Sequence, residues 1–369
     1  MNNEPITEEI PAVIPAPPSR ADVRRWGVLI SELASGTAFL LAIVCILHAV
    51  WIYGANGLDQ MHVQETIVSD AANTIEDVDT TSDRIAAPHR ETAPVETAPA
   101  YGDVIGWMYI PDIEQDWKRA IQQGTDLDVL DNGGLGHYEN TVMPGQNGNS
   151  AYAGHRTGGD LGFVDRLTTG DPIVIQTAGH WYVYRVNAAW VTTPDDSGVL
   201  DSEDGKPWLT LTTCHPMLAT EDESLKHRYI VRATLDYWAD VADGIPQEIA
   251  VSKDKPVAYA ASRVSKAMRD VSKSMPVTPV LAACCLFAWL VLNGFGWVLA
   301  HGRKTRRAAS WNPLTLMWRI QQGPAVVRVT AYALWWMMLV FAAWAWGSPW
   351  VSVNMPWVTS LLSDIYPQG

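Results

Sequence analysis

Three long apolar stretches, residues 28–52, 277–300 and about 329–346, decide more than any other feature what this chain can become. Each approaches the ~20 apolar residues needed to cross a bilayer. In hydrocarbon every backbone polar group must be bonded within its own segment, so each stretch is predicted to be a helix. The first, at about 25 residues, exceeds the roughly 7–15 of a signal-peptide core and has no clear small-x-small cleavage site, so it reads as an uncleaved anchor. Arg20, Arg24 and Arg25 precede it, and no Lys or Arg occurs between Trp51 and Asp83. The positive-inside rule then places the N-terminus in the cytoplasm and the middle of the chain outside the cell. The second and third helices carry the chain in and out again around a loop with Arg303, Lys304, Arg306, Arg307 and Arg319. Lys253, Lys255, Arg263, Lys266, Arg269 and Lys273 stand before the second helix. Orientation therefore rests on the first helix and on the tail after Gly347, which has Trp350 and Trp357 and no basic residue.

The predicted division follows from these runs. Residues 1–26, with five prolines before position 20, form a disordered cytoplasmic tail, and 27–53 form the anchor. Residues 54–100, rich in Asp, Glu, Thr, Ala and Pro, read as a loose extracellular spacer. A β-domain spans 101–238 and a juxtamembrane segment 239–276. Helices at 277–300 and 326–347 flank a basic cytoplasmic loop at 301–325, and 348–369 form an extracellular tail. Residues 54–251 hold 32 acidic against 11 basic residues, a net charge of −21 that leaves the rest of the chain at +7. An acidic middle region lacks the basic footprint of nucleic-acid binding.

Within the middle region short apolar runs recur at 104–110, 150–154, 172–176, 181–186, 208–214 and 229–235. Turn motifs separate them, among them Asp-Asn-Gly-Gly at 131–134, Pro-Gly-Gln-Asn-Gly at 144–148 and Thr-Gly-Asp at 169–171. Short strands with regular turns predict a barrel or sandwich. Beyond them, Val264, Met268, Val271 and Met275 fall on one face of a predicted amphipathic helix, suited either to anionic headgroups or to packing against the β-domain.

Chemistry concentrates on Leu-Thr-Leu-Thr-Thr-Cys-His-Pro at 209–216, an alternating run that Pro216 should end close to the thiol. Cys45, Cys284 and Cys285 lie in the apolar stretches, so Cys214 has no evident disulfide partner. A lone exported cysteine has either a chemical role or an inert buried one. A nucleophilic thiol needs a base, and His155 follows a short apolar run in a Gly-His step. Acyl transfer also needs a donor for the developing oxyanion, and Arg228 opens the run at 228–233. His137, His180, His215 and His227 read as solvent-facing or locally bonded, with the His215 side chain on the strand face opposite Cys214. Glu221, Asp222 and Glu223 read as a solvated loop, and Glu32 and His48 as interfacial residues of the first helix.

Taken together, the Thr-Leu-x-Thr-Cys run, the Ala-Gly-His-Arg-Thr at 153–157 and the following arginine resemble the sortases. The resemblance extends over about 102–235 and includes Gly-His-Tyr at 136–138 and Met-Pro-Gly-Gln at 143–146. It is greatest to the class E sortases of high-GC Gram-positive bacteria, although Gly-Gly-Asp at 158–160 stands where that class often has a Tyr. The two C-terminal helices are more similar to the pilus-building class C, whose Asp-Pro-aromatic lid is missing. The resemblance implies a mainly β fold, a closed barrel of about eight strands with short helices, beside the three transmembrane helices. It makes Cys214 the nucleophile, His155 the general acid/base and Arg228 the stabiliser of substrate and oxyanion, with Thr213, Ala153 and Gly154 lining the groove. It implies no cofactor and no metal ligand. The implied partners are surface proteins or pilins bearing a Leu-Pro-x-Thr-Gly or Leu-Ala-x-Thr-Gly signal, an amine on a peptidoglycan precursor or a pilin lysine, and membrane lipid. A cysteine hydrolase and a non-catalytic membrane adaptor are the alternatives.

Overall fold

The structure is a computed structural model and describes residues 20–52, 56–69, 75, 77–131, 134–157, 159–202, 205–216, 226–300, 311–355 and 357–358. Residues 1–19 of the predicted tail, residues 301–310 of the basic loop, the acidic triplet at 221–223 and the chain after 358 lie outside these residues. The chain divides into two compact units, Met1–Val44 with Trp289–Ala333, and Cys45–Ala288 with Leu334–Gly369.

The second unit is built around eight strands, β1 (Val104–Tyr109), β2 (Lys118–Gln123), β3 (Leu135–His137), β4 (Gly148–Ala153), β5 (Pro172–Gln176), β6 (His180–Thr192), β7 (Pro207–His215) and β8 (His227–Asp240). They close into a barrel in the order β1-β2-β3-β4-β7-β8-β6-β5. The β2–β3 and β4–β7 pairs are parallel and the other ladders antiparallel. Inside, Met108, Ile121, Tyr152, Ile175, Leu209, Leu211 and Val231 pack into one core. Closure leaves no edge strand exposed to pairing with other chains.

Six of these strands overlap the apolar runs predicted from sequence, whereas β2 and β3 do not. β2 is Lys-Arg-Ala-Ile-Gln-Gln, with too little alternation to read as a strand. Lys118 and Gln122 are nonetheless buried, on an outer face covered by helix α2 (Asn56–Ser69) and residues 75 and 77–80, and Gln123 is buried on the inner face against His137. Lys118 stands 3.1 Å from Asp77 and 3.8 Å from Glu65 and lies over the Trp107 ring. The two lysines that Asp77 faces, Lys118 and Lys273, overcome the effect of burial and hold its carboxyl well below the usual carboxylate range. Burial dominates for Glu65 and raises it.

This covering layer corrects the expected loose spacer over 54–100. Val68, Ile75 and Ala86 join the outer faces of β1, β5, β6 and β8, through Trp107, Val174, Trp181 and Tyr237, in a second core outside the barrel. Few apolar residues are needed, because backbone bonds do much of the tying: Ala86 N donates to Ile245 O at 2.9 Å and Val251 N to Thr80 O at 2.8 Å. We call residues 84–93, which cross the base of the barrel, the strap.

Helix α4 (Pro256–Ser272), numbered after the single turn α3 (Leu127–Leu130), faces opposite to what an apolar row would suggest. Its buried residues are Ser262, Arg269 and Ser272. Ser262 Oγ donates to Asp116 at 2.8 Å, and the His62 ring bonds the Ser272 carbonyl. The apolar row is left outward, with Val264 59%, Val271 42% and Met275 53% exposed.

Three helices are long and apolar enough to cross a membrane: Arg24–Val50, Val277–Leu299 and Ala325–Asn354. The third runs beyond the predicted boundary at 347. A wider turn at Ala343–Gly347 precedes Pro349, which stands near the start of the next helical segment, Ser348–Asn354. Wider turns of this kind absorb an irregularity in the helical ladder without ending it. Within the first unit, the Trp289 indole donates to Gln321 Oε1 at 2.8 Å and Gln322 N to Asn293 Oδ1 at 3.2 Å.

Candidate active site

The strand order sets β4, β7 and β8 side by side; β7 carries Cys214, β8 carries Arg228, and His155 follows two residues after the end of β4. Cys214, half-buried, is the direct cross-strand partner of Arg228 in the antiparallel β7–β8 ladder. Directly paired residues share a face, with side chains about 5 Å apart at their bases. On the other flank, Ala153 of β4 pairs with Thr212 of β7, and Gly154 N donates to Thr212 O at 3.2 Å. Two residues further along these parallel neighbours come His155 and Cys214. His155 lies two residues past the end of β4, so the histidine follows one flank of β7 while Arg228 is paired with Cys214 on the other.

His155 is held by Asp131, whose Oδ1 lies 2.8 Å from His155 Nε2. Asp131 closes the short helix α3. In the sequence it reads only as the start of a turn motif, because a pairing across 24 residues leaves no local pattern. Behind this pair lies Asp160, a buried carboxyl that burial pushes up to about 6 against the pull of Arg119 and His155. Arg228 donates through Nη1 to the His227 carbonyl at 3.0 Å. The Tyr138 phenol bonds Thr212 and lies within the electrostatic reach of both Arg228 and Cys214; burial raises it. Tyr138 belongs to the Gly-His-Tyr motif, but nothing in that motif indicates that its ring reaches the thiol.

The three residues expected to line the groove are placed differently from one another. Ala153 shares the face of Thr212 and Cys214, where its small side chain leaves space above the strands. Gly154 is packed against the core, and a Cβ there would meet Leu135 Cδ2 at 2.6 Å. Thr213 pairs with Tyr229 and alternates with Cys214, so its side chain points into the barrel and is 3% exposed. His215 follows the same alternation inward, 5.8 Å from the Tyr229 ring, and burial lowers it. His137 is buried and bonded on both nitrogens, to Gln123 Oε1 at 3.0 Å and to the Val142 carbonyl at 3.0 Å.

Arg156 closes the barrel end beneath the thiol. Its guanidinium lies over the Tyr229 ring, donates to Gly162 O at 2.8 Å and pairs with Asp165 at 2.9 Å.

A closed eight-stranded β-barrel with a cysteine and an arginine paired across β7 and β8, and a histidine just past the end of β4, defines the class of fold and site. Within that class the chain belongs to the sortase family, whose members are cysteine transpeptidases. The Sortase domain family model matches residues 108–236. Sortase SrtE2 of Streptomyces coelicolor is 31% identical over 142 residues, covering 34% of this chain and 54% of the relative. Sortase D of Bacillus subtilis is 31% identical over 120 residues, covering 32% of this chain and 58% of its own. The chain thus spans about half the length of these curated relatives. Among solved structures, sortase E from Streptomyces avermitilis is 36% identical, with 41% of this chain and 99% of that one covered and a TM-score of 0.37. The SrtA sortase from Actinomyces oris is 31% identical, covering 45% and 100%, with a TM-score of 0.40.

Proposed function

We propose that this chain is a membrane-anchored transpeptidase that cleaves a sorting signal of the Leu-Pro-x-Thr-Gly or Leu-Ala-x-Thr-Gly kind between Thr and Gly. The observation that carries the reading is the Cys214–Arg228 cross-strand pair, with His155 two residues beyond the end of β4 on the other flank of β7. The Cys214 thiolate attacks the Thr carbonyl carbon, and the oxygen that gains charge meets the Arg228 guanidinium. Donors aimed at that oxygen are worth about 10²–10³ in rate. His155, held by Asp131, gives its proton to the departing Gly nitrogen as the C–N bond breaks, leaving a thioester. An incoming amine, on a peptidoglycan precursor or a pilin lysine, attacks the thioester, loses its proton to His155 and expels the thiolate. The cycle returns to its starting protonation.

The same reading places the barrel outside the cell, tethered by the helix Arg24–Val50 before it and the helix Val277–Leu299 after it. The outward row Val264, Val271 and Met275, ending two residues before Val277, then lies along the outer lipid surface while the opposite face of α4 holds the barrel. Incubating the full chain in detergent micelles with a signal peptide and an amine should give the ligated product by mass spectrometry. Release of free acid alone at high amine concentration indicates a hydrolase, and no turnover of either signal overturns the reading.

A further inference from the structure

At the end of the barrel away from Cys214, β8 runs between the strap on one side and β6 on the other. His89 of the strap exchanges both backbone bonds with Trp238, at 2.8 and 3.0 Å. Across the opposite ladder, His180 is the register partner of Asp240. Residues 238 and 240 share a face of β8, so both histidines arrive on one surface. There, donor atoms of His89, Asp240 and Asp243 all lie within 4.8 Å of one another. His180 Nε2 stands 3.7 Å from Asp240 Oδ1.

Each imidazole is backed by a carboxylate on its other nitrogen. His89 Nδ1 lies 3.1 Å from Glu91 Oε1, and His180 Nδ1 lies 2.9 Å from Glu96 Oε1. A carboxylate at Nδ1 fixes the proton there and leaves the Nε2 lone pair for a Lewis acid, the support that stands behind metal-ligating histidines. The Trp238 ring stacks on His89 at 4.5 Å and meets His180 edge-on at 5.7 Å, which restricts the rotation of both. Among the described residues, neither Asp240 nor Asp243 pairs with a lysine or arginine. Two carboxylates therefore converge on imidazoles with no fixed cation beside them.

We propose that His89, Asp240 and Asp243, with His180 as fourth donor, form a binding site for a divalent transition-metal ion of the zinc kind. Two imidazoles among the donors favour zinc over calcium or magnesium, which take all-oxygen sets. Zinc bonds of about 2.0–2.2 Å place tetrahedral donors about 3.3 Å apart. His180 lies outside that group of three and reaches it through Asp240, so binding draws in both the His180 ring and the exposed Asp243 carboxylate. The donors come from the strap, β6, β8 and the turn Val241–Asp243, so one ion fastens the strap to the base of the barrel. Cys214 chemistry is not required for this site.

Calorimetric titration of zinc into the full chain in detergent, freed of metal with a chelator, tests the site. The Cys214→Ala/His155→Ala background removes the thiol and imidazole at the other end as competing ligands. One zinc ion should bind per chain and raise the melting temperature by mass action. Affinity should fall at least tenfold in both His89→Gln and Asp243→Asn. Asp243→Asn alters an exposed side chain, and its metal-free melting temperature should match the parent, which separates loss of a ligand from loss of fold. No zinc bound in the background chain, or binding undiminished in either variant, overturns the proposal.

Discussion

The same strands carry different chemistry at their two ends. Where β7 ends and β8 begins, Cys214 and Arg228 pair on the outward face that Ala153 and Thr212 share, with the Tyr138 phenol in electrostatic reach of both. At the other end of β8, the strap crosses, and Trp238 is bound through its backbone to His89 and through its indole to the Glu91 carbonyl at 3.2 Å. Glu96 there accepts from Thr177 at 2.7 Å and from Tyr182 at 2.8 Å. The base is crossed by a segment that uses its polar groups for attachment, whereas the other end gathers the thiol, imidazole and guanidinium of the proposed chemistry. A barrel can hold both because its stability comes from the inner core and the outer layer, not from the reactive face.

Substitutions at the two ends should therefore separate turnover from stability. Cys214→Ala should abolish peptide cleavage and the thioester seen by mass spectrometry, with no change in melting temperature; retained turnover would break the comparison at its centre. Arg228→Ala should lower kcat/KM by about 10²–10³ while the fold persists, the cost of removing one oxyanion donor.

Asp160 tests whether the reactive end carries a cost of its own. Its folded-state carboxyl, at about 6, lies above the unfolded value of about 3.9. The folded state binds the extra proton, so this contribution is complete below about pH 4 and is lost as pH rises through about 6. Asp160→Asn should flatten that fall, by an amount on the order of 2 kcal/mol between pH 4 and 7. Parallel pH profiles of melting temperature for the two chains would show that the carboxyl is not responsible.

Trp238→Ala, at the base, should cost about 2 kcal/mol of stability, less than a fully buried Trp, and leave kcat unchanged below its melting temperature. An equal fall in kcat would mean that the two ends are coupled through β8. Asp131→Asn should reduce kcat about tenfold through a looser His155 and leave KM nearly unchanged, since the side chain orients the acid/base without touching the signal; tenfold is about 1.4 kcal/mol.

How much of this could be read from the chain depended on how local the cause was. The run at 172–176 is β5 as predicted, because alternating apolar residues between Gly-Asp and Ala-Gly turns leave a strand little alternative. β2 was not legible, since Lys118 and Gln122 are buried only because α2 and residues 75–80 lie over them. The spacer misled for the converse reason: Ile75, Ala86 and Ala93 are too sparse to announce a packed segment, yet each fills a place on a surface the barrel provides. Cys214, His155 and Arg228 stood out because each sits in a short motif at a strand boundary. Asp131, Tyr138 and the histidine–aspartate cluster at 89, 180, 240 and 243 have no such mark, because their partners are brought near only by the closing of the barrel.

By itself, the sequence determined the three membrane-length helices and an acidic β-domain between the first two, and it singled out the thiol, imidazole and guanidinium of the proposed chemistry. Hydrophobic length, period-two alternation and turn residues act over a few neighbours, and so they are written in the chain. The tertiary structure decided that Cys214 pairs with Arg228 with the chain to His155 on the other flank of β7, that Thr213 turns inward, and that the strap crosses the base of the barrel. Those outcomes depend on strand order and register, which are set when distant segments compete to cover the same apolar surface.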